Sequence, residues 1–352
     1  MDGALIGFGV IGMGHAVAYE KVADMTIKAI VDPVPSRREL AKKMFSNINV
    51  YATFADMMNN ESISFIDICS PPSTHFEYIK NGLKYNCNVI GEKPFLLKTD
   101  EYLQVYDLMK LSGKVIYPSH NYKFAPILQK LKKTVAAESF GNIVTGKFRT
   151  LRTGHALGIQ AWQPNWRRDY NISGGGIVRD HGPHSIYMAC SIVDKLPVAV
   201  SCIMGNFKKD QFSATEDTAF LTLYFNDNVK FTIDLSWVSD IRNSYYCVIG
   251  ERETIIVEDD LILHMSAIKG AFKEKIPSEF NDPSHRSWFV SMFSDFLDTV
   301  RFPEKKQIPL ILEAFMTTLI IEKAYISVQQ NGKRIEIVSE IEDFNKKLRR
   351  YE

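Results

Sequence analysis

The sequence predicts an α/β fold in the N-terminal part of the chain and an α+β fold with a large, mostly antiparallel sheet in the rest. From Ala4 to about Pro118, short apolar runs alternate with amphipathic stretches, a pattern typical of a parallel sheet covered by helices. After Ala125, longer runs alternate residue by residue between apolar and polar, which is typical of antiparallel strands. The length of 352 residues favours two domains. We place the boundary between residues 122 and 123.

The N-terminal part contains five predicted buried strands, at residues 4–6, 27–32, 65–69, 88–91 and 115–117. The stretches at 10–23 and 36–45 have the composition of helices that pack between them. Further along, a helix is expected at about 125–137, and strands at 143–153, 198–207, 218–225 and 229–238. In the last of these strands, Phe231, Ile233 and Leu235 face one way while Lys230 and Thr232 face the other. Helices at about 285–302 and 309–330 complete the prediction.

Charge and cysteine content narrow the classes of function and compartment. The 42 basic and 41 acidic residues give a net charge of +1, which provides no electrostatic reason to expect nucleic acid or an anionic membrane as a partner. The 5 cysteines are widely spaced and form no Cys-x-x-Cys motif, as expected for thiols in a reducing compartment. No apolar run reaches about 18 residues, and no basic segment precedes an apolar run at the N-terminus. We therefore expect a cytoplasmic protein.

A glycine-rich turn follows the first predicted strand and opens the first predicted helix. It matches G-x-G-x-x-G, in which the first glycine permits the turn, the second admits a pyrophosphate and the third lets helix and strand pack closely. The helix N-terminus adds a favourable field for the phosphates. We expect a dinucleotide to contact all six residues of the motif, Gly7, Phe8, Gly9, Val10, Ile11 and Gly12.

Asp32 ends the second predicted strand, 20 residues after Gly12. At this distance a carboxylate accepts hydrogen bonds from the adenosine ribose and repels a 2′-phosphate, so Asp32 favours NAD. Its alternative role is to cap the turn before Pro33. Ser36, Arg37 and Arg38 lie just downstream and keep NADP open as the alternative cofactor, with Arg37 as the candidate contact; both arginines could equally be solvated helix residues.

Three further motifs, taken with the first, resemble the glucose–fructose oxidoreductase, inositol dehydrogenase and rhizopine-catabolism family, Gfo/Idh/MocA, over roughly residues 3 to 335. They are Ser70-Pro-Pro-Ser-Thr-His75, Glu92-Lys93-Pro94 and the segment from Gly174 to His184. The resemblance implies an N-terminal Rossmann NAD(P)-binding domain, residues 1–122. It also implies a C-terminal domain, residues 123–352, that binds the substrate. Family members often form homodimers or homotetramers through the open face of the C-terminal sheet, and we expect the same here.

The resemblance implies a set of cofactor contacts beyond the glycine turn. The first motif follows a strand at the edge where open sheets bind ligands, although Pro-Pro is also a common helix start and a histidine there a routine residue near a helix cap. In the family, the matching lysine reaches the oxygen of the reacting carbon; lysines after a buried strand are otherwise usually solvated. We also predict a cis Lys93–Pro94 peptide bond. The residues assigned to the cofactor are Ser70, Pro71, Pro72, His75, Glu92, Lys93 and Asn121.

Asp180 and His184 are four residues apart, so on one helix they would share a face. Oxidation of an alcohol requires removal of a proton, and histidine, with an ordinary pKa near 6.5, suits that step at neutral pH. We assign His184 as general acid or base, Asp180 as its partner and Lys93 as the oxygen ligand. Two alternatives are a structural histidine and a metal site at Asp180, His181 and His184. We expect no metal, and His15, His75, His120 and His155 offer no obvious further ligand pair.

Several polar and aromatic residues resemble family positions near the substrate. The candidates are Lys93, Tyr122, Arg152, Trp166, Arg167, Asp180 and His184, with His155 as a looser one. Each of Tyr122, Arg152, His155, Trp166 and Arg167 could instead lie at an interface or on the surface. Two positions depart from the family pattern: His181 stands where an apolar residue is common, and Tyr187 where many members carry an acid. Both departures concern the choice of substrate more than the chemistry.

The resemblance implies an NAD(P)-dependent oxidoreductase. The expected reaction interconverts a secondary hydroxyl and a ketone on a sugar, cyclitol or related polyol. The basic side chains of the predicted site, Lys93, Arg152 and Arg167, also allow the substrate to be a sugar nucleotide or an aminosugar precursor. One alternative is a redox-neutral enzyme that uses NAD transiently to eliminate or hydrolyse. The other is a non-catalytic regulatory protein that binds NAD(P) and a sugar, as the galactose-pathway co-repressor does. Retention of Lys93, Asp180 and His184 counts against the regulatory protein.

Overall fold

A computed structural model describes residues 1–278 and 286–349. In these ranges, the N-terminal part forms a parallel sheet of six strands, β1 (Asp2–Ile6), β2 (Thr26–Val31), β3 (Asn49–Tyr51), β4 (Phe65–Ile68), β5 (Asn88–Gly91) and β6 (Ile116–Pro118). Their order is β3-β2-β1-β4-β5-β6. The connecting helices are α1 (Val10–Tyr19), α2 (Pro35–Met44), α3 (Phe54–Asn60), α4 (His75–Lys84) and α5 (Glu101–Ser112). This is the strand order of a Rossmann fold.

The predicted strands of this sheet are confirmed, and their burial explains why they were recognisable. Every residue of β4 and β5 is buried, as expected for central strands with helices on both faces. The strand that the pattern missed, β3, has three residues and pairs only with β2 at the edge of the sheet. A strand that short has no periodicity to detect.

The rest of the described chain builds a second sheet with helices on one side. Its strands are β7 (Ile143–Leu151), β8 (Ala199–Gly205), β9 (Thr218–Tyr224), β10 (Lys230–Ser236), β11 (Asn243–Gly250), β12 (Thr254–Glu258), β13 (Leu261–Ser266), β14 (Gly270–Lys275) and β15 (Ile335–Glu336). Its helices are α6 (Pro126–Val135), α7 (Tyr170–Ser173), α8 (Ile177–Asp180), α9 (Gly182–Val193), α10 (Arg286–Arg301), α11 (Pro303–Gln329) and α12 (Val338–Arg349). The strand order is β14-β13-β12-β11-β7-β10-β9-β8-β15. Only the β7–β10 pair is parallel among these described strands, so the prediction of a mostly antiparallel sheet is confirmed.

The two faces of the second sheet differ sharply. Phe231, Ile233 and Leu235 are buried on the face that carries the helices. On the opposite face, the cross-strand neighbours Ile203 and Phe220 remain 62% and 48% exposed. This second face, which we call the open face, is therefore an uncovered surface with apolar side chains in its strands.

Helix α10 joins the two halves of the sequence. Its residues Phe289, Met292, Phe293 and Phe296 belong to the apolar core of the first sheet, together with residues of α1. The ring of Phe293 stacks on that of Tyr19 with centroids 3.9 Å apart. The helix was predicted from residue 285, which lies outside the described residues. No helix within 1–278 and 286–349 combines the length and apolar character needed to cross a membrane.

Candidate functional site

Three adjoining cavities follow the edge where the parallel strands end. Ile11 and Arg167 line all three cavities, which therefore form one continuous groove. The first is a cleft that we call the dinucleotide cleft, and its lining includes Gly7, Gly9, Val10, Asp32, Ser70, Pro71 and Trp166. The second connects Pro72, Glu92, Lys93 and Asp180. The third, which we call the reaction cavity, brings together Lys93, Asn121, Tyr122, Arg152, His155, Asp180, His181 and His184.

The glycine turn has the geometry that a pyrophosphate requires. Gly7 has a φ of +94°, which other residues rarely adopt, and a Cβ on Gly12 would lie 2.0 Å from the Gly7 carbonyl oxygen. A Cβ on Gly9 would meet nothing within 4 Å, so this glycine faces open space in the cleft. Gly9 is also the N-cap of α1 and makes no side-chain capping hydrogen bond, because it has no side chain. A helix N-terminus without a side-chain cap, beside open space, fits a bound pyrophosphate.

Substituting Gly9 with valine is expected to raise the dissociation constant for NAD more than about tenfold while the fold persists. The added side chain fills the space that a phosphate needs, but its Cβ clashes with no protein atom. Gly12→Val is the contrasting variant, because its Cβ would collide with the Gly7 backbone and lower the melting temperature. Calorimetric titration with NAD and thermal denaturation separate the two effects. Tight NAD binding by folded Gly9→Val would contradict the assigned cradle.

Asp32 lies in the dinucleotide cleft, and the arginines that follow it do not. Its carboxylate accepts hydrogen bonds from the N–H groups of Phe8 at 2.7 Å and Val34 at 2.9 Å, so it both caps the turn and faces the cleft. Arg37 donates through Nε to the Phe8 carbonyl at 2.6 Å, and Arg38 donates to the Asp32 carbonyl at 2.7 Å. Arg37 lines a separate cavity beside α2. Both guanidinium groups thus brace the backbone outside the cleft, an arrangement that fits NAD better than NADP.

The structure leaves some predicted cofactor residues away from the cavities. Phe8 is fully buried, and Gly12 packs beneath the turn. His75 is also buried; its Nε2 lies 2.9 Å from the Ser70 carbonyl oxygen and its Nδ1 3.2 Å from that of Phe95. His75 therefore supports the loop that contributes Ser70 and Pro71 to the cleft, and its direct contact with the cofactor stays a prediction.

Lys93 and Asp180 form the charged centre of the second cavity. The Lys93 Nζ donates to the carboxylate of Asp180 at 2.9 Å and to its carbonyl oxygen at 2.7 Å. Arg167 adds a longer contact of 3.4 Å to the same carboxylate oxygen. Burial alone would raise the pKa of Asp180, but the Lys93 and Arg167 cations hold it well below its ordinary value. The Lys93–Pro94 peptide bond is cis, as predicted.

The predicted single helix carrying Asp180 and His184 is wrong. Helix α8 ends at Asp180 and α9 begins at Gly182, with Pro183 in its first turn. Proline lacks the N–H needed to continue a helix, so the chain breaks there and starts again. After this break, Asp180 and His184 have different partners. The ion-pair contacts of Asp180 are with Lys93, Arg167 and His181.

His184 lies in the reaction cavity with an aromatic and hydroxyl environment. Its Nδ1 is 2.8 Å from the hydroxyl of Tyr187, and its ring stacks on Tyr122 with centroids 4.0 Å apart. The Tyr187 oxygen also accepts the N–H of Tyr122 at 3.2 Å. Burial raises the pKa of Tyr187 well above its ordinary value, so this partner is a neutral phenol. The Nδ1 of His184 thus faces the hydroxyl of Tyr187, whereas the Asp180 carboxylate faces Lys93 and Arg167.

Among the described residues, Asp180, His181 and His184 do not bring three ligand atoms to metal-binding spacing. Burial, together with Arg152, Lys93 and Arg167, lowers the pKa of His181 to about 3 although Asp180 opposes this. Within the described ranges, the one group of three ligand-type side chains at metal-binding spacing is His15, Asp67 and Cys69. Its members contact one another directly, with His15 Nδ1 2.8 Å from Asp67, and Tyr19 donates to the same carboxylate oxygen.

Two contributions to the groove carried no prediction from the sequence. Glu216 accepts the N–H groups of Gly176 and Val178, at 3.0 and 2.9 Å, and thereby anchors the start of α8. A Cβ on Gly176 would collide with the Glu216 backbone, which explains the glycine. The loop before α7 covers the dinucleotide cleft with Leu157, Ile159 and Trp162. This loop has neither helix nor strand periodicity in its sequence, so its tryptophans were the only sign that it contributes to the site.

Comparisons with known proteins agree with this fold. The oxidoreductase family with an NAD-binding Rossmann fold matches residues 1–120, and the GFO/IDH/MocA C-terminal domain matches residues 128–256. Oxidoreductase P35 of Formosa agariphila is 25% identical over 262 residues, 71% of this chain and 78% of that protein. D-Glucoside 3-dehydrogenase of Escherichia coli K12 is 25% identical over 254 residues, 68% of this chain and 71% of that protein.

A solved structure of levoglucosan dehydrogenase with NADH superposes with a TM-score of 0.82 at 18% identity, covering 96% of this chain and 99% of that one. At this identity the likeness establishes the fold. The two family matches together span most of the sequence and join at the change of pattern after the first sheet. The chain therefore belongs to the Gfo/Idh/MocA family, as an oxidoreductase whose N-terminal Rossmann fold binds NAD.

Proposed function

We propose that the protein interconverts a secondary hydroxyl and a ketone on a sugar, cyclitol or related polyol, with NAD as the redox partner. The observation that carries the proposal is the reaction cavity, in which Lys93, Asp180 and His184 meet at the end of the dinucleotide cleft. The names of similar proteins support it: besides D-glucoside 3-dehydrogenase, they include D-apiose dehydrogenase of Paraburkholderia graminis. Bound NAD supplies the hydride acceptor for the carbon that carries the hydroxyl.

In this proposal, Lys93 binds the oxygen of the reacting carbon. An ammonium group has three N–H donors, and Asp180 accepts from two of them, which leaves the third for the substrate. Lys93 in an ion pair with a charged carboxylate stabilises negative charge on that oxygen. Asp180 and Arg167 hold the ammonium in place, and Arg152, Tyr122 and Trp166 contribute to the walls that contact the polyol.

His184 acts as the general base for oxidation and as the general acid for reduction. If Nδ1 carries a proton and donates it to the Tyr187 oxygen, Nε2 is left with the lone pair that a base requires. The neutral Tyr187 orients the ring, and the Tyr122 ring restricts its tilt by stacking. The proposed acid–base pair thus consists of a histidine and a phenol.

The direct test is the absorbance of NADH at 340 nm with purified protein, NAD, and a panel of glucosides, free sugars, cyclitols and sugar nucleotides. Sustained formation of NADH supports the dehydrogenase. Product formation without net NADH would support the redox-neutral alternative. Tight binding of NAD and a sugar with no turnover of any kind would support the regulatory alternative and overturn the proposal.

Asp32 is proposed to select NAD, so Asp32→Ser is expected to lower the ratio of kcat/KM with NAD to that with NADP by about tenfold or more. Serine removes the charge that repels a 2′-phosphate. Arg37→Ala is the matched control, because its guanidinium lies outside the cleft and the ratio is expected to stay within about twofold. A ratio in Asp32→Ser equal to that of the wild type would contradict the assignment.

We also propose that residues 123–352 form a substrate-binding and oligomerisation domain, that 1–122 form the cofactor domain, and that the open face joins copies into a homodimer or homotetramer. Phe220→Glu places a charge on the open face and is expected to shift the particle mass toward the monomer in light scattering. Leu111→Glu, on the exposed side of α5, is the control and leaves the mass unchanged. An unaltered mass for Phe220→Glu would argue against this interface.

We propose the cytoplasm as the compartment of the protein. All five cysteines are free, which supports this proposal.

A further inference from the structure

A buried cluster of charged groups lies beneath the glycine turn and takes no part in the proposed hydride transfer. His15, on α1, has no solvent exposure. Its Nδ1 lies 2.8 Å from Oδ2 of Asp67, which belongs to β4. Its Nε2 lies 3.3 Å from Oε1 of Glu92, the residue after β5, without the alignment of a hydrogen bond. One imidazole thus stands between two carboxylates.

The remaining neighbours of His15 are uncharged. Tyr19, on the same helix, donates its hydroxyl to Asp67 Oδ2 at 2.9 Å, and the Cys69 sulfur is 3.3 Å from His15 Nδ1. Burial raises the pKa of the Cys69 thiol, which stays neutral. From α10, Phe289 and Phe293 meet the ring edge-on with centroids 4.2 and 5.2 Å away. Asp67 and Glu92 are therefore the charged groups that decide the state of His15.

Two carboxylates call for a cation between them. A neutral imidazole has one N–H and one lone pair, so its lone pair would face one of the carboxylates at short range. The imidazolium has an N–H group on each nitrogen, so it donates a hydrogen bond to Asp67 through Nδ1 and makes an ion pair with Glu92 at Nε2. Burial alone would lower the pKa of His15, but the Cys69 sulfur and the Asp67 carboxylate, which both lie within hydrogen-bond distance of Nδ1, raise it well above the ordinary value. Burial likewise would raise the pKa of Glu92, and His15 and Lys93 reverse that effect.

The cluster connects directly to the reaction cavity. The second carboxylate oxygen of Glu92 accepts the backbone N–H of Lys93 at 3.1 Å, and the Lys93 side chain reaches Asp180. We propose that His15 is a positioning residue for Lys93: as an imidazolium between Asp67 and Glu92, it fixes the carboxylate that holds the Lys93 backbone and so aims the Lys93 ammonium. This inference rests on the proposed role of Lys93 in the reaction.

The charge of His15 can be tested without any turnover. In protein labelled with ¹⁵N-histidine, both ring nitrogens of His15 are expected at the chemical shifts of an imidazolium at pH 7.5, where an ordinary histidine is mostly neutral. The resonances are assigned by their loss in His15→Gln, or by their shift in Asp67→Asn should the first variant fold poorly. A neutral His15 at this pH would overturn the proposal, whatever the substrate proves to be.

Action through Lys93 is tested by a double-mutant cycle. His15→Gln is expected to lower kcat about tenfold in the wild-type background, but less than about twofold in Lys93→Met, because the group being aimed is then absent. Tyr19→Phe removes a hydrogen bond to Asp67 without changing the charge and serves as the matched control, with kcat expected within about threefold. Equal losses in both backgrounds would show a merely structural role and overturn the proposal. If the wild type turned over none of the glucosides, sugars, cyclitols and sugar nucleotides, the proposed function would be contradicted instead. The NMR measurement would still decide the charge of His15.

The stability of the protein provides a third measurement. Because the pKa of His15 is raised in the folded state, the stabilisation by its ion pairs is fully present below the ordinary pKa near 6.5 and is lost as the pH rises through the raised value. The melting temperature of the wild type is therefore expected to fall more steeply toward alkaline pH than that of His15→Gln. Parallel pH profiles for the two proteins would contradict the cationic bridge.

Discussion

Replacing His184 with alanine is expected to lower kcat about 10²- to 10⁴-fold, the range typical of losing a general acid or base. In the structure His184 lines the same cavity as Lys93, and its Nδ1 contact with Tyr187 orients the opposite nitrogen. Alanine removes the group that takes the hydroxyl proton but leaves the dinucleotide cleft intact. The dissociation constant for NAD is therefore expected to stay within about threefold. Rates at saturating NAD and substrate, with calorimetry for NAD, measure both.

Tyr187→Phe provides the graded comparison for this prediction. It removes only the hydroxyl that contacts His184 and receives the Tyr122 N–H, so a smaller loss of about tenfold in kcat is expected. The pH–rate profile of this variant should also change, because the partner of the histidine has gone. A His184→Ala protein that folds, binds NAD and turns over within about twofold of the wild type would exclude His184 from the chemistry.

The second large effect is expected at Lys93. Lys93→Met keeps much of the apolar stem and removes the ammonium, so kcat is expected to fall about 10²- to 10³-fold, as for the loss of one donor to a developing oxyanion. In this variant the Asp180 carboxylate still accepts a hydrogen bond from the Arg167 guanidinium, at the longer distance of 3.4 Å. The folded state and NAD binding are measured by melting temperature and calorimetry.

Lys123→Met is the matched control for Lys93→Met. Lys123 makes an ion pair of 3.0 Å with Glu313, which keeps a second partner in His120 at 2.6 Å. The charge change is the same, but Lys123 does not line the reaction cavity. Its kcat is expected within about twofold of the wild type. Equal losses in the two variants would indicate a general effect of charge and would argue against Lys93 as the oxygen ligand.

Much of the site was predictable because its residues occupy ordered motifs at strand ends. The glycine turn, Asp32 and Glu92-Lys93-Pro94 all follow buried strands, and parallel strands place their carboxyl ends at one edge. The relation between Asp180 and His184 was not predictable in the same way. Spacing alone assumed one continuous helix, whereas the proline at residue 183 starts a new one.

Strands were predictable where apolar and polar residues alternate regularly. They were not predictable where buried polar residues interrupt that alternation. Strand β10 alternates strictly, whereas β11 begins with the buried polar pair Asn243 and Ser244 and does not. His15 carries no signal in the sequence beyond its place on a helix. Its partners are 52 and 77 positions away and meet it only because β4 and β5 follow β1 in the sheet. Such long-range polar networks require the three-dimensional structure.

The packing of α10 on α1 has a consequence for synthesis of the chain. The aromatic side chains that complete the core of the first sheet come from residues 286–301, far beyond the end of that sheet at Pro118. At a translation rate of about 5–20 residues per second, the ribosome needs roughly 8–37 s to cover that interval. During this time the nascent first sheet exposes an apolar surface around Tyr19. A chaperone that shields this surface would therefore act on the first half of the chain until the second has been made.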